Sequence, residues 1–303
     1  MLQIFRRWGL SVAGLLCVCA NGEPTLVLTK PEALDVYSES VRRFLEDVPA
    51  GYDAEELTIL GWGSIGPLPS VAVRVGKSGA RMELDAKDGT VYFFTDSSPL
   101  YRGDSAQEPM ETVLSADDAY ALALPVLKHY GLQAEQDEYE IVPDRSVPWT
   151  VGQGRWNIRK NLAYEGMETL SSYVEVLVRA HTKRIDMVRY YPPVAPAPVR
   201  SGISREEAIE KVKKVVYNRK AWPFGDVRNF EFGGAADVTK VVAMPPGYQD
   251  LKPHEHPYHS RYFWKVPYSA ECQDYGEESW QRLWTYELID VETGKEIGEI
   301  NAP

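Results

Sequence analysis

Beyond residue 19 this 303-residue chain holds a single cysteine, Cys272. One thiol cannot close an internal disulfide, so the fold must stand on its hydrophobic core. No Asn-x-Ser/Thr sequon occurs. Past residue 20 no apolar run approaches the roughly 20 residues that a membrane-spanning helix needs. Basic residues are outnumbered, with Lys+Arg 33 against Asp+Glu 44 and a formal net charge of -11. That balance argues against nucleic acid and anionic membrane surfaces as default partners, because both attract basic patches. Also missing is any complete nucleophile, acid–base or cofactor motif, so the expectation is a non-enzymatic protein without a cofactor.

What is present begins with an export signal. Arg6 and Arg7 give a positive start, and Trp8 to Cys19 is a short apolar run. Small residues at Val18-Cys19-Ala20 place a cleavage site after Ala20, which makes residues 1–20 a signal peptide. The expected location is therefore the periplasm, cell envelope or extracellular space. Leu16 and Val18 precede the two early cysteines, which does not suit lipoprotein anchoring.

Three helix starts share one signature. Thr29 with Glu32, Ser115 with Asp118, and Ser204 with Glu207 each read as a hydroxyl N-cap with an acidic residue three positions on. An apolar residue precedes each cap (Leu28, Leu114, Ile203), and the caps lie 86 and 89 residues apart. Near-equal spacing of matched signals indicates a repeat. Each start opens one apolar stripe at helical spacing, for example Ala208, Ile209, Val212, Val215 and Val216. Pro125 should kink or shorten the second helix. Alternating segments follow each helix and read as antiparallel meanders: Val71–Val75, Arg81–Ala86 and Thr90–Thr95; then Arg155–Arg159, Tyr173–Arg179 and Arg184–Tyr190; then Arg261–Val266, Leu283–Asp290 and Glu296–Ile300. Hairpins are expected at Met82–Val91, Val176–Ile185 and Tyr286–Ile297, with Gly89 and Gly294 in the outer two turns.

The expected fold class is α+β, in tandem units of one helix packed on an antiparallel sheet of three or four strands. The units span residues 24–96, 112–191 and 203–303. A proline-rich linker at 192–202 precedes the third, which carries an insert at 225–260.

Ser204-x-x-Glu207-Ala208, Phe263-Trp264-Lys-Val266 and Tyr286-x-Leu-Ile-Asp290-x-x-Thr293-Gly294-Lys295-x-Ile297 together resemble a PepSY domain. The resemblance is clearest over 203–300, partial over 114–190, and weaker over 28–95. In the middle copy Arg179 and Lys183 stand where the family has Asp and Gly; the first copy keeps Asp85 and Gly89. The resemblance implies a cystatin-like layout and a protein-interaction role of the kind found in propeptides of thermolysin-type peptidases. It implies no catalytic residues.

Candidate sites are few. His254, His256 and His259 lie within six residues beside Glu255 and could ligate zinc or copper. Pro253 and Pro257 exclude the regular helix of a His-Glu-x-x-His peptidase, so no metal is assigned. Gly61-Trp-Gly63-Ser-Ile-Gly66 matches a dinucleotide fingerprint, but Pro67 and Pro69 forbid the helix start that would hold a pyrophosphate; a glycine-rich turn is expected. Ser64 lacks the first glycine of a nucleophile elbow. Arg102-Gly-Asp104 reads as a chance match in a linker. Glu277-Glu278 and Asp117-Asp118 read as surface or helix-start charge. His129 and His181 are expected to face solvent or cap local structure.

Trp156 and Trp264 occupy equivalent strand positions and are expected in the core, whereas Trp222 and Trp280 are the candidates for exposure. The functional expectation is an exported protein- or peptide-binding module that can restrain a peptidase. The alternatives are a metal protein using the His254–His259 loop and a glycan-binding envelope protein.

Overall fold

The computed structural model describes residues 17–20, 23–26, 31–48, 57–65, 68–76, 80–96, 113–132, 135–144, 154–219, 226–244, 259–273 and 279–297. Most of the expected signal peptide lies outside them. Its last residues form β1 (Cys17–Ala20), paired antiparallel with β2 (Glu23–Leu26). Among the described residues no helix is long and apolar enough to cross a membrane.

Helix α1 (Pro31–Asp47) leads into a meander of β3 (Leu57–Ile65), β4 (Leu68–Val75), β5 (Ala80–Asp85) and β6 (Val91–Thr95). Helix α2 (Ala116–His129) leads into β7 (Glu140–Pro143), β8 (Arg155–Tyr164), β9 (Met167–Arg179) and β10 (Arg184–Tyr191). Helix α3 (Arg205–Asn218) leads into β11 (Asp226–Phe232), β12 (Thr239–Ala243), β13 (Arg261–Gln273) and β14 (Gln281–Asp290). The helix starts follow their caps. Ser115 accepts the Asp118 N–H at 3.1 Å. Ser204 and Glu207 form a reciprocal capping box, at 3.1 Å and 2.8 Å. Thr29 lies outside the described residues. Pro125 does not cut α2 short: it sits exposed inside a helix that runs on to His129.

The expected tandem units are corrected by the strand pairing. Twelve strands hydrogen-bond into one mixed sheet, with β11-β13-β12-β9-β10-β6-β5-β4-β3 as its path and β14, β7 and β8 attached to it. The first two meanders join through β6 and β10, where Thr95 opposes Met187 and Phe94 opposes Val188. An isolated meander would leave those edges with unpaired N–H and C=O groups, and mutual pairing satisfies them. β12 and β9 pair in parallel, at Val242 and Thr169. The insert at 225–260 is likewise more than a loop, since it supplies β11 and β12, both paired with β13. Of the expected strand Glu296–Ile300, Glu296 bridges to Ile289, and residues past 297 lie outside the described set.

By contacts the chain forms two compact units. The first comprises the described residues up to 160 with 174–190, and the second comprises 161–173 with the described residues from 191 onward. In the first, α1 (Tyr37, Val41, Phe44) and α2 (Ala119, Ala123, Val126, Leu127) share one core with Val73, Met82, Phe94, Ile158, Val176 and Ile185. Two expected domains are therefore one. In the second unit the sheet has two apolar faces. Ala208, Val212 and Val216 of α3 cover Val266, Tyr268 and Ile289, while Val241, Phe263 and Leu288 cluster on the other side. Burying each such side chain contributes about 1.5–3 kcal/mol.

Both units fasten a helix start in the same way. Trp156 donates its indole N–H to the Leu114 carbonyl at 2.9 Å, and Trp264 donates to the Ile203 carbonyl at 3.0 Å. Each carbonyl belongs to the residue before an N-cap, Ser115 or Ser204. The proline-rich linker is pinned as well, because the Ala197 N–H donates to the Ser260 carbonyl at 2.9 Å.

Candidate functional site

In the second unit β14 is paired along one edge only, with β13, among the described strands. Its last residues are covered by the following turn, where the Ile297 N–H reaches the Leu288 carbonyl at 3.0 Å. Its first residues are not. Gln281, Arg282, Leu283 and Trp284 are all exposed, Leu283 at 37% and Trp284 at 76%. Strand alternation sends Leu283 to the α3 side of the sheet, with Glu287 and Ile289. It sends Arg282 and Trp284 to the opposite side, with Leu288. Around Trp284 that side is polar: Arg282 pairs with Glu231 at 2.8 Å, and Arg228 with Glu271 at 3.1 Å. This edge offers backbone groups and two large apolar side chains, one per face. Such an edge can accept another strand.

Beneath the α3 side lies a buried charge. Glu287 is fully buried; its Oε1 accepts from Arg219 at 2.6 Å and from the Tyr268 hydroxyl at 3.2 Å. Its Oε2 has no partner among the described residues. Burial pushes the carboxyl above its usual range, and Arg219 opposes that only in part.

The first unit holds a cleft of about 320 Å³. It lies at the turn between β5 and β6 and is lined by Asp88, Gly89 and Thr90 of that turn, Ser40 and Arg43 of α1, His129 and Tyr130 at the end of α2, and Tyr190 of β10. Asp85 builds the turn, with its Oδ1 accepting the Lys87 and Asp88 N–H groups at 2.5 Å and 3.2 Å. Gly89 takes φ +79°, and a Cβ there would stand 2.6 Å from the Ser40 hydroxyl, so only glycine allows this approach to α1. Tyr37 donates to the Ala86 carbonyl at 2.8 Å and fixes the turn on the helix; burial and then the Asp85 charge push its phenol up to about 12.

Along the wall of the cleft, Tyr130 stacks on Tyr190 with ring centroids 4.1 Å apart and donates to the Val91 carbonyl at 2.7 Å. Burial raises both phenols, joined at Tyr190 by the Asp88 charge. His129 Nδ1 meets Asp47 at 2.9 Å, and its ring sits edge-on to Phe44. His129, expected to face solvent or cap local structure, is a half-buried side chain partnered by Asp47.

The sequence candidates fare unevenly. His259 is exposed, and His254 and His256 lie outside the described residues. Among those residues no group of three or more His, Cys, Asp or Glu could hold a metal ion. Trp222, Arg102–Asp104 and Glu277-Glu278 also fall outside. Trp280 is not an open face but half-buried, with the Arg228 guanidinium 3.7 Å from its ring centre. Among the described residues the exposed tryptophans are Trp284 and, at 49%, Trp62. Trp284 was one of six tryptophans that could line a groove but was not singled out for exposure, because its strand reads as an ordinary alternation; the available signal was Arg282 two positions earlier, which marks that face as wet. Gly61 and Gly63 belong to β3, not to a turn, and no helix follows them. Asp117 and Asp118 stand in the first turn of α2, as expected of helix-start charge.

No protein-family model matches this chain, and no curated protein matches it. Among solved structures, the chain is similar to the Bacillus megaterium YpeB C-terminal domain at a TM-score of 0.36 and 13% identity, over 87% of this chain and 94% of that one.

Proposed function

We propose that this chain is an exported, non-enzymatic module that binds an extended segment of a partner protein along the outer edge of β14. The single observation that carries this reading is the edge itself: Gln281–Trp284, paired on one side only, with Leu283 and Trp284 exposed on opposite faces. An added strand would take main-chain hydrogen bonds from β14, and its alternating side chains would cover Leu283 and Trp284. β14 also falls within 203–300, where the PepSY resemblance is clearest. In the finer form of the reading, the bound segment belongs to a peptidase, and binding restrains it.

The test uses the full chain and a library of short extended peptides, read by the tryptophan emission shift as Trp284 loses water. Selected peptides should lose binding when alternate amides are N-methylated, because strand addition needs those N–H groups. Trp284→Ala should weaken binding by about tenfold or more, in the range of a hot-spot aromatic. Peptides that bind equally well after N-methylation at every alternate register would end the strand-addition reading. Slowed cleavage by a thermolysin-type peptidase in the presence of the chain tests the finer form.

A further inference from the structure

The cleft at the Asp85–Thr90 turn supports a second binding site, independent of β14. Arg43 and Asp88 line it from different elements, and no ion pair joins them among the described residues. Their charges cancel at the rim, so the cleft selects neither an anion nor a cation by net charge.

What it offers is a mixed set of donors and acceptors. The Arg43 Nε–H donates to Glu39 at 2.7 Å, which leaves both Nη groups without a protein acceptor among the described residues. The Asp88 Oδ1 accepts from the Thr90 N–H at 2.9 Å, and its Oδ2 has no partner there. The Tyr190 hydroxyl has none either. The His129 Nδ1 meets Asp47, which leaves its Nε2 as a further polar atom for the cleft. Beside these groups stands a flat apolar wall, the stacked Tyr130 and Tyr190 rings.

A guanidinium can donate to two adjacent oxygens, and a carboxylate can accept from two adjacent hydroxyls. Hydroxyls do both at once. A ring carrying several of them, with an apolar C–H face, matches this mixture better than a fixed charge does. At about 320 Å³ the space is at the small end of ligand clefts and suits one ring. We propose that this cleft binds one neutral sugar residue, either as a free saccharide or as the end of a glycan chain.

Saturation-transfer NMR on the full chain tests this, with glucose, N-acetylglucosamine and maltose as probes. Glycine and inorganic phosphate serve as zwitterionic and anionic controls. Transfer to at least one sugar is expected. Asp88→Asn keeps an acceptor for the Thr90 N–H yet should weaken binding about tenfold, the loss expected for a charge-assisted hydrogen bond. Tyr190→Phe keeps the stack and should weaken it about threefold. Trp284→Ala should leave it unchanged, so failure here is distinct from failure at β14. Equal affinity for glucose and maltose would assign the free sugar, and tighter binding of maltose a chain end. The proposal is overturned by no transfer to any of the three sugars, by transfer that survives both cleft substitutions in folded protein, or by preference for glycine or phosphate.

Discussion

The turns at Asp85–Thr90 and Asp290–Lys295 repeat one another bond for bond. In each the aspartate Oδ1 accepts two backbone N–H groups, from Lys87 and Asp88 or from Glu292 and Thr293. The glycine N–H then returns to the aspartate carbonyl, at 3.0 Å for Gly89 and 2.9 Å for Gly294. The middle hairpin, Arg179–Arg184, keeps the left-handed position, occupied by Lys183 at φ 52°, but has no aspartate. Arg179 instead pairs with Asp186, which also holds Arg155 at 2.7 Å, and Arg155 reaches Asp144 at 2.8 Å. In place of an acceptor within the turn, an ion network with buried Arg179 and Asp186 ties the strands beside it. The outer two turns differ in surroundings: Gly89 lies against the Ser40 hydroxyl on α1, and Gly294 against the end of the Lys211 side chain. The first position is rigid and borders a cleft, whereas the second can yield.

The sharpest way to break the comparison is Asp186→Ala. It leaves Arg179 and Arg155 buried without their shared carboxylate and should cost about 3–5 kcal/mol in chemical denaturation. Next comes Asp85→Ala, which removes the shared acceptor of two N–H groups and orphans the buried Tyr92 hydroxyl that donates to Asp85. It should cost about 2–4 kcal/mol, and more than Asp290→Ala, where Arg261 retains Glu292 at 3.1 Å. Gly89→Ala should cost about 2–3 kcal/mol, against about 1–2 kcal/mol for Gly294→Ala, because the lysine end can move aside. Lys183→Gly should reverse the sign and stabilise by up to about 1 kcal/mol.

A pH comparison separates the buried acid of the second unit from the rest. The Glu287 carboxyl is raised by burial, so in the folded state it holds its proton more readily than in the unfolded chain. Its contribution to stability is fully present below the unfolded value, near 4.5, and is lost as pH rises through the folded value. The melting temperature of the wild type minus that of Glu287→Gln should therefore fall as pH is raised from 4.5. A difference that grows with pH would contradict the burial argument.

Much of the fold was legible in local chemistry. Ser115, Ser204 and the three hairpin turns speak through their nearest neighbours in sequence, and caps and turns are local events. Trp156 and Trp264 were expected in the core from their matched positions; Trp156 is buried, and Trp264 is half-buried at the edge of its cluster. The sheet was not legible, because the pairing of Phe94 with Val188 joins residues far apart in sequence and no alternation pattern names its partner strand. For the same reason the tandem reading failed, since each meander satisfied its pattern equally well alone or fused. The insert hid β11 and β12 behind its Gly and Pro content. The cleft draws residues from α1, the β5–β6 turn, α2 and β10, and of these only Gly89 was marked by a motif, as a turn residue. His129 read as facing solvent or capping local structure because Asp47, its partner, is distant in sequence.

Amide hydrogen exchange on the full chain, with and without a selected peptide, tests the strand-addition account most directly. Strand addition predicts that the peptide slows exchange at β14 amides within Gln281–Trp284 that point away from β13, and that N-methylated peptide does not. Unchanged exchange across Gln281–Trp284 with the peptide bound, or protection confined to another segment, would contradict it.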